Sequence, residues 1–164
     1  MSGYHEDVIV ASFFGHDHVD TFSIMKDTDG GSGASIAFKA GSGSPRNDHN
    51  PSVTLWKYSA EAPFTILDKY VFYYDLAKAN KNGSINWMNL YHMTTEYNIS
   101  DCSTASMQGL AEKLAVFKSD AWNAFYENMY AKAEGHTCSE AGHKKKMCSM
   151  NNVHSKQADA CQDM

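Results

Sequence analysis

The chain lacks both long hydrophobic runs and long basic runs, and each absence excludes a class of protein. No stretch of the 164 residues approaches the roughly 20 consecutive apolar residues of a membrane-spanning helix. Acidic residues outnumber basic ones by 19 to 14, for a formal net charge of −5, so the basic stripe of a nucleic-acid-binding surface is missing. The single basic run, residues 144–146, is predicted to be a solvated turn. Peripheral contact with a lipid surface stays open.

Three further features are missing. Residues 1–7 contain two acidic residues and no basic one, so they do not form a signal peptide, and we expect any such signal to lie upstream of this chain. The glycine- and serine-rich loop at residues 41–51 lacks the Gly-Lys-Ser/Thr ending of a phosphate-binding P-loop. The four cysteines include no Cys-x-x-Cys pair, the arrangement that nucleates most structural zinc sites.

A short apolar segment leads into two closely spaced histidines. Residues 8–14 are apolar or small and end at Gly15, and His16 and His18 follow. Such a run bounded by polar sequence predicts a buried strand. If the backbone stays extended, His16, His18 and Asp20 lie on one face, because alternate side chains of a strand point the same way. Converging imidazoles suit zinc, iron and similar ions; the alternative is two polar loop residues without a ligand.

The clearest strands are Ser52–Tyr58 and residues 64–75, which are rich in β-branched and aromatic residues. Residues 60–63 between them are predicted to form a hairpin connection. Weaker alternation predicts two shorter strands, at residues 20–26 and 34–40. The apolar content of 43% is typical of a packed globular core, and the chain length predicts one domain or slightly more.

Two amphipathic helices are predicted after residue 103. The first has a stripe of apolar side chains at helical spacing, at Met107, Leu110, Ala111, Leu114 and Phe117. Ser103 or Thr104 can cap its start, and Ser119 with Asp120 can cap the second helix. The second stripe consists of Trp122, Phe125, Tyr126, Met129 and Tyr130. We expect an antiparallel pair that packs on the sheet and contributes to the core.

The stretch Phe-Phe-Gly-His-Asp-His-Val-Asp at residues 13–20 resembles the Gly-His-x-His signature of calcineurin-like metallophosphoesterases, in the acid sphingomyelinase branch. Asp17 replaces the threonine that is usual there. Asn50-Pro51, residues 65–68 and residues 74–80 are similar to corresponding stretches of that branch, as are Trp87, Tyr91 and Tyr97. The resemblance implies an α/β fold, with the C-terminal strands of a metallophosphoesterase β-sandwich at residues 1–80 and a helical, disulfide-bonded C-terminal region at residues 81–164.

The same resemblance implies roles for individual residues. His16 would bind one metal ion and His18 the other of a two-metal cluster, with zinc as the expected cofactor. Asp20 would orient an imidazole from behind. Arg46 and His49 lie in a loop that matches a substrate-side loop of the family, where they would contact a phosphate or headgroup. The other metal ligands would come from an upstream metallophosphoesterase segment, so we expect no catalytic residue in this chain.

The C-terminal cysteines allow two interpretations. Thiolates and imidazoles that could form a metal knuckle are Cys138, His143, Cys148, His154 and Cys161. The alternative is a set of disulfides in an oxidising compartment. The resemblance favours disulfides, because Cys148 and Cys161 match one bridge of the family. Cys138 matches half of a second bridge whose other position is Gly142, so Cys138 is expected either to pair with Cys102, which is the favoured alternative, or to stay a free thiol.

The predicted function follows from the resemblance. It implies a phosphodiester hydrolase that cleaves sphingomyelin to ceramide and phosphocholine, or cleaves a nucleotide-type substrate, in a secreted or lysosomal setting. The sequons at Asn82 and Asn98 predict a glycoprotein. We do not expect turnover by this chain alone, because two imidazoles without the metal-bridging carboxylates leave no activated water. The alternative is a non-catalytic secreted module or remnant.

Overall fold

The computed structural model describes residues 9–26, 33–46, 48–151 and 161. This part of the chain contains six strands and five helices, with most strands before most helices, and a mixed α/β fold is confirmed. The elements are β1 (Ala11–Phe14), β2 (Thr21–Lys26), β3 (Gly33–Lys39), β4 (Ser52–Tyr58), β5 (Ile66–Tyr73), α1 (Leu76–Asn82), β6 (Met88–His92), α2 (Met93–Tyr97), α3 (Thr104–Leu114), α4 (Asp120–Met129) and α5 (Glu140–Asn151). The metallophosphoesterase sandwich itself stays a prediction.

The strands form two three-stranded sheets. The first has the order β1-β3-β2, with β1 parallel and β2 antiparallel to β3. The prediction that residues 8–14 form a buried strand is wrong where the structure describes them: Phe13 and Phe14 are 53% and 52% exposed. The reason is that β1 is an outer strand of its sheet, paired with β3 alone among the described strands.

The second sheet has the order β4-β5-β6 and is antiparallel. The predicted hairpin is confirmed, since β4 has the predicted bounds and pairs with β5. One face of β4 remains open, with Val53 and Leu55 exposed. Strand β6 lies beyond residue 80 and pairs with β5, so the sheet continues across the predicted domain boundary, which stays a prediction.

Helices α3 and α4 begin where their capping residues predict. The hydroxyl of Ser103 accepts a hydrogen bond from the backbone N–H of Ser106, and Ser119 accepts one from Trp122; each satisfies a helix N–H that otherwise lacks a partner. The predicted apolar stripes are largely buried, and α3 packs against β2, β3 and α4. The antiparallel arrangement of the pair stays a prediction.

The basic run at residues 144–146 is part of a helix, so its prediction as a turn is wrong. It lies within α5, which was not predicted because three consecutive lysines interrupt its apolar periodicity. The opposite side of α5 is nevertheless buried, through His143, Met147, Cys148 and Met150, and α5 packs on β2. Tertiary packing therefore overrides the local pattern.

Of the two predicted disulfides, one is confirmed. Cys148 and Cys161 are bridged, which makes the metal-knuckle alternative wrong, because these sulfurs are no longer thiolate donors. Another of its members, His154, lies outside the described residues. The favoured Cys102–Cys138 bridge is wrong and the alternative of a free Cys138 is confirmed, since both cysteines are free thiols. Cys102 is buried ahead of α3, where its N–H donates to the Ile66 carbonyl, whereas Cys138 is partly exposed just ahead of α5.

Two predictions concern a membrane-spanning helix and a signal peptide. Among the described residues, no helix is both long enough and apolar enough to cross a membrane. Residues 1–7, which the sequence predicts not to be a signal peptide, lie outside the described residues. What the fold does establish is the position of residues 15–20, which connect β1 to β2 at the end of the first sheet.

Candidate functional site

The histidine loop at residues 15–20 is curled rather than extended. His16 and His18 both have left-handed backbone, with φ of 77° and 62°, and the Asp17 N–H donates to the Gly15 carbonyl at 3.0 Å. The prediction that His16, His18 and Asp20 share one face of an extended segment is therefore wrong. Left-handed backbone costs about 1–3 kcal/mol at a non-glycine residue, and such strain concentrates at functional sites.

Asp20 is buried at the end of this loop and joins the two sheets. One carboxylate oxygen accepts a hydrogen bond from the Lys69 ammonium group, and the other accepts one from the Tyr91 hydroxyl at 2.7 Å. Lys69, on β5, is 1% exposed, and its Nζ lies 5.5 Å from the ring centroids of Trp56 and Tyr91. Burial raises the pKa of Tyr91 well above its ordinary value, so the phenol keeps its proton and donates.

These contacts differ from the predicted role of Asp20. Its hydrogen bonds within the described residues go to Lys69 and Tyr91, not to an imidazole. A buried carboxylate is stable only when charged or hydrogen-bonding groups surround it, and Lys69 supplies that charge from a strand 49 residues further along. Asp20 therefore anchors the end of the histidine loop to the second sheet.

His49 is buried beside His18 rather than displayed on a substrate-facing surface. It is 4% exposed, and its Nδ1 lies 2.9 Å from the Asn50 carbonyl oxygen. Because a carbonyl can only accept, the neutral ring carries its hydrogen on Nδ1 and has its lone pair on Nε2. The ring centroids of His18 and His49 are 6.3 Å apart at 74°. His49 Nε2 and His18 Nδ1 are both buried without a hydrogen-bond partner among the described residues.

A single turn holds the two histidine-bearing loops in place. This turn, which we name the α4 turn, consists of residues 129–131 at the end of α4. The Met129 carbonyl accepts the Asp20 N–H at 3.1 Å. The Tyr130 carbonyl accepts the Asn50 N–H at 3.3 Å, and the Ala131 carbonyl accepts the Asn50 side-chain amide at 3.0 Å. The helical part of the chain thus sets the distance between the His18 and His49 rings.

The remaining predicted site residues lie on the surface. Arg46 is exposed in its loop, and its contact with a substrate stays a prediction. Asn82 and Asn98 are both exposed, at the ends of α1 and α2, where an oligosaccharide can be accommodated; their glycosylation stays a prediction. Asp17 forms an ion pair with Lys39 at 2.8 Å, and the hydrogen bond from Lys39 lowers the pKa of this carboxyl.

A complete metal site is not formed by the described residues alone, since no group of three or more His, Cys, Asp or Glu side chains among them could hold an ion. His16 is exposed and His18 is half-buried, so each can donate one ring nitrogen to an ion whose other ligands come from elsewhere. Zinc binding by His16 and His18 stays a prediction.

Two features of the site were missed by sequence reasoning. The pairing of Lys69 with Asp20 was not predicted, although a charged residue in the middle of the apolar strand β5 was a signal for it. The contact between His49 and His18 had no local signal, because it joins residues from two loops. Only the paired sheets and the α4 turn bring these groups together.

The family model for the acid sphingomyelin phosphodiesterase C-terminal region matches residues 34–163. The chain belongs to this family. Among curated relatives, the cyclic GMP-AMP phosphodiesterase SMPDL3A of Rattus norvegicus is 28% identical over 156 residues, which are 91% of this chain and 35% of the relative. Sphingomyelin phosphodiesterase A of Dictyostelium discoideum is 24% identical over 165 residues, which are 97% of this chain and 27% of the relative.

Human acid sphingomyelinase-like phosphodiesterase 3b is similar as well, at 27% identity over 158 residues, 91% of this chain and 34% of the relative. The chain therefore spans about a third of the length of the curated relatives it matches. Because the Dictyostelium match covers 97% of the chain, it includes the histidine loop as well as the helical region. The family is phosphodiesterase-like, as the names of these relatives state.

Proposed function

We propose that this chain supplies the Gly-His-x-His loop and the C-terminal region of a zinc-dependent phosphodiesterase, acting as part of a longer polypeptide. The observation that carries the proposal is the strained loop that presents His16 and His18, in a chain whose family and relatives are phosphodiesterases. The remaining ligands, among them carboxylates, would come from the upstream metallophosphoesterase segment.

The residues present fit a metal ion as partial ligands. The ring of His18 is only half-buried, so one of its ring nitrogens can meet an ion, while the other, Nδ1, is buried without a partner among the described residues. Imidazole nitrogen is a preferred donor for zinc, which binds it at about 2.0–2.1 Å. His16, on the exposed side of the loop, is free to meet a second ion.

Within the mechanism, each group of this chain has a distinct task. When bound, a pair of metal ions polarises the phosphoryl group and lowers the pKa of a bound water. His16 and His18 would each hold one ion through a ring nitrogen. Asp20, fixed by Lys69 and Tyr91, keeps the loop end in place so that the imidazoles do not move. Arg46 would contact the phosphate or headgroup of the substrate.

For the substrate we propose a phosphodiester, either sphingomyelin, with release of phosphocholine, or a nucleotide-type molecule. Both chemistries occur in the names of the relatives, one a cyclic GMP-AMP phosphodiesterase and another a sphingomyelin phosphodiesterase. We propose a secreted or lysosomal location, because disulfides such as Cys148–Cys161 persist in oxidising compartments. Glycosylation at Asn82 and Asn98, both exposed, agrees with it.

A chimera tests the function. This chain replaces the matching C-terminal third of rat SMPDL3A, and hydrolysis of cyclic GMP-AMP is measured with zinc present. We expect hydrolysis, and we expect His18→Ala or His16→Ala to lower kcat by more than about 100-fold, because changing only the partners of a metal ligand already costs about 10–100-fold. Lys81→Ala, at an exposed position in the last turn of α1, is the matched control.

Two results would overturn the proposal. One is a folded chimera, verified by circular dichroism and thermal unfolding, that hydrolyses its substrate normally after both imidazoles are replaced. The other is a folded chimera without hydrolysis, which favours the alternative of a non-catalytic secreted module. If the chimera does not fold, a zinc titration of the chain by itself, with His18→Ala for comparison, decides whether the loop binds metal.

A further inference from the structure

The His18–His49 pair contains two buried nitrogen atoms whose hydrogen bonding is incomplete. His18 Nδ1 and His49 Nε2 both lack a partner among the described residues. Leaving a buried polar atom unsatisfied costs about 1–3 kcal/mol, and most such atoms in proteins are paired, if necessary through an ordered water. Two of them on neighbouring rings indicate a shared partner rather than two independent defects.

The separation of the rings indicates what that partner is. The two rings form no direct hydrogen bond with each other, because neither nitrogen has a partner among the described residues, and the ring centroids lie 6.3 Å apart. A single ordered water can bridge two polar groups that are too far apart for a direct hydrogen bond, because it bonds to each of them at about 2.8 Å.

Hydrogen-bond direction supports the same partner. His49 Nδ1 donates to the Asn50 carbonyl, so His49 Nε2 can only accept, and the bridging water must donate to it. The water oxygen then has a lone pair for a donor, which His18 supplies when its hydrogen is on Nδ1. In that tautomer the lone pair of His18 is on Nε2, which is then available to bind a metal ion.

We propose that His49 is a positioning residue for His18: through one shared water it holds His18 in the tautomer and ring orientation that binds metal through Nε2. This inference rests on the proposed function, since it assumes that His18 is a ligand. It assigns to His49 the role that the sequence predicted for Asp20. The Asp20 carboxylate instead accepts hydrogen bonds from Lys69 and Tyr91. Groups that orient a ligating histidine in this way typically change metal affinity by about 10–100-fold.

The experiment is a zinc titration of the chain that is monitored by NMR of the 15N-labelled imidazole rings, a method suited to weak binding. The native chain is compared with His49→Leu, which removes the acceptor, and with His49→Gln, whose amide oxygen can replace Nε2. Lys57→Ala, an exposed change on β4, is the control. The His18→Ala variant defines the signal that depends on His18.

We expect the native chain to show His18 protonated on Nδ1 before zinc is added, and to show zinc bound at its Nε2. His49→Leu should weaken zinc binding about 10–100-fold and give His18 a mixture of tautomers. His49→Gln should restore both properties, and Lys57→Ala should leave both unchanged. Rescue by glutamine separates positioning from a general loss of packing.

The two possible failures are distinguishable. If zinc binding does not change in His18→Ala, the proposed function fails, because His18 is then not a ligand. If binding depends on His18 but His49→Leu has native affinity and a native tautomer signal, the proposed role of His49 is overturned. If His49→Leu does not fold, the native chain still decides: His18 protonated on Nε2 contradicts the bridge.

Discussion

The core between the sheets and helices and the outer strands of the sheets contain similar apolar residues, but these residues are buried in the core and exposed on the outer strands. On the inner side, Phe38 of β3 and Leu114 of α3 are almost fully buried. On the outer strands, Phe13 of β1 and Leu55 of β4 are more than half exposed. The difference shows that residue type alone does not create a core; a packing partner does. The upstream segment that we propose is a candidate partner for the outer strands, whose exposed edges would otherwise invite association.

The largest effect that this comparison predicts is at the buried ion pair between the sheets. Lys69→Ala leaves the Asp20 carboxylate buried without its charge partner, which should lower the free energy of unfolding by about 3–5 kcal/mol. Urea denaturation measures it. Lys57→Ala, on the outer strand β4, should change stability by no more than about 0.5 kcal/mol. Similar losses for both variants would show that the two regions do not differ.

Two leucine substitutions test the same difference between core and outer strands with uncharged side chains. Leu114→Ala creates a cavity in the fully buried core and should cost about 2–5 kcal/mol. Leu55→Ala removes an exposed side chain and should cost about 0.5 kcal/mol or less. Thermal unfolding followed by circular dichroism gives both values. A large loss for Leu55→Ala would mean that β4 is covered, for instance in a dimer.

The smallest expected effect is in the helical region, where a second disulfide can be introduced. A Cβ atom added at Gly142 would lie 3.3 Å from the Cys138 sulfur, so the thiol introduced by Gly142→Cys should form a disulfide with Cys138. Free thiols counted under denaturing, non-reducing conditions should fall from two to one. Stability should rise by about 1 kcal/mol, because glycine is also unfavourable inside a helix.

Gly142→Ser serves as the control, since it adds a side chain of similar size without a sulfur. It should keep two free thiols while gaining the helix-propensity part of the stability. Three free thiols in Gly142→Cys would contradict the predicted bridge, and would show that Cys138 is held away from α5.

Features that depend on local signals could be predicted from the sequence. The bounds of β4 and the starts of α3 and α4 follow from alternation and from the capping hydroxyls of Ser103 and Ser119. Helix α5 could not be predicted, because its lysines obscure the stripe that packing later buries. The local sequence pattern predicts an element where a side chain bonds to nearby backbone, as a helix cap does. It predicts an element less well where packing against elements remote in sequence decides which residues are buried.

The candidate site, too, has features that the sequence predicts and features that it does not. Residues 15–20 were recognised as its centre from their composition, but the curled backbone at His16 and His18 was not, because the prediction assumed that the strand continued. The Lys69–Asp20 pair and the His18–His49 contact both join residues remote in sequence. Such contacts follow from sheet register and loop placement, which periodicity does not encode.

The α4 turn gives the C-terminal helices a consequence beyond their own stability. Its carbonyl groups hold the backbone of Asp20 and Asn50, so the spacing of two imidazoles depends on residues encoded more than a hundred positions after the first of them. Recombination that exchanges the C-terminal helices between relatives would therefore also retune the histidine pair.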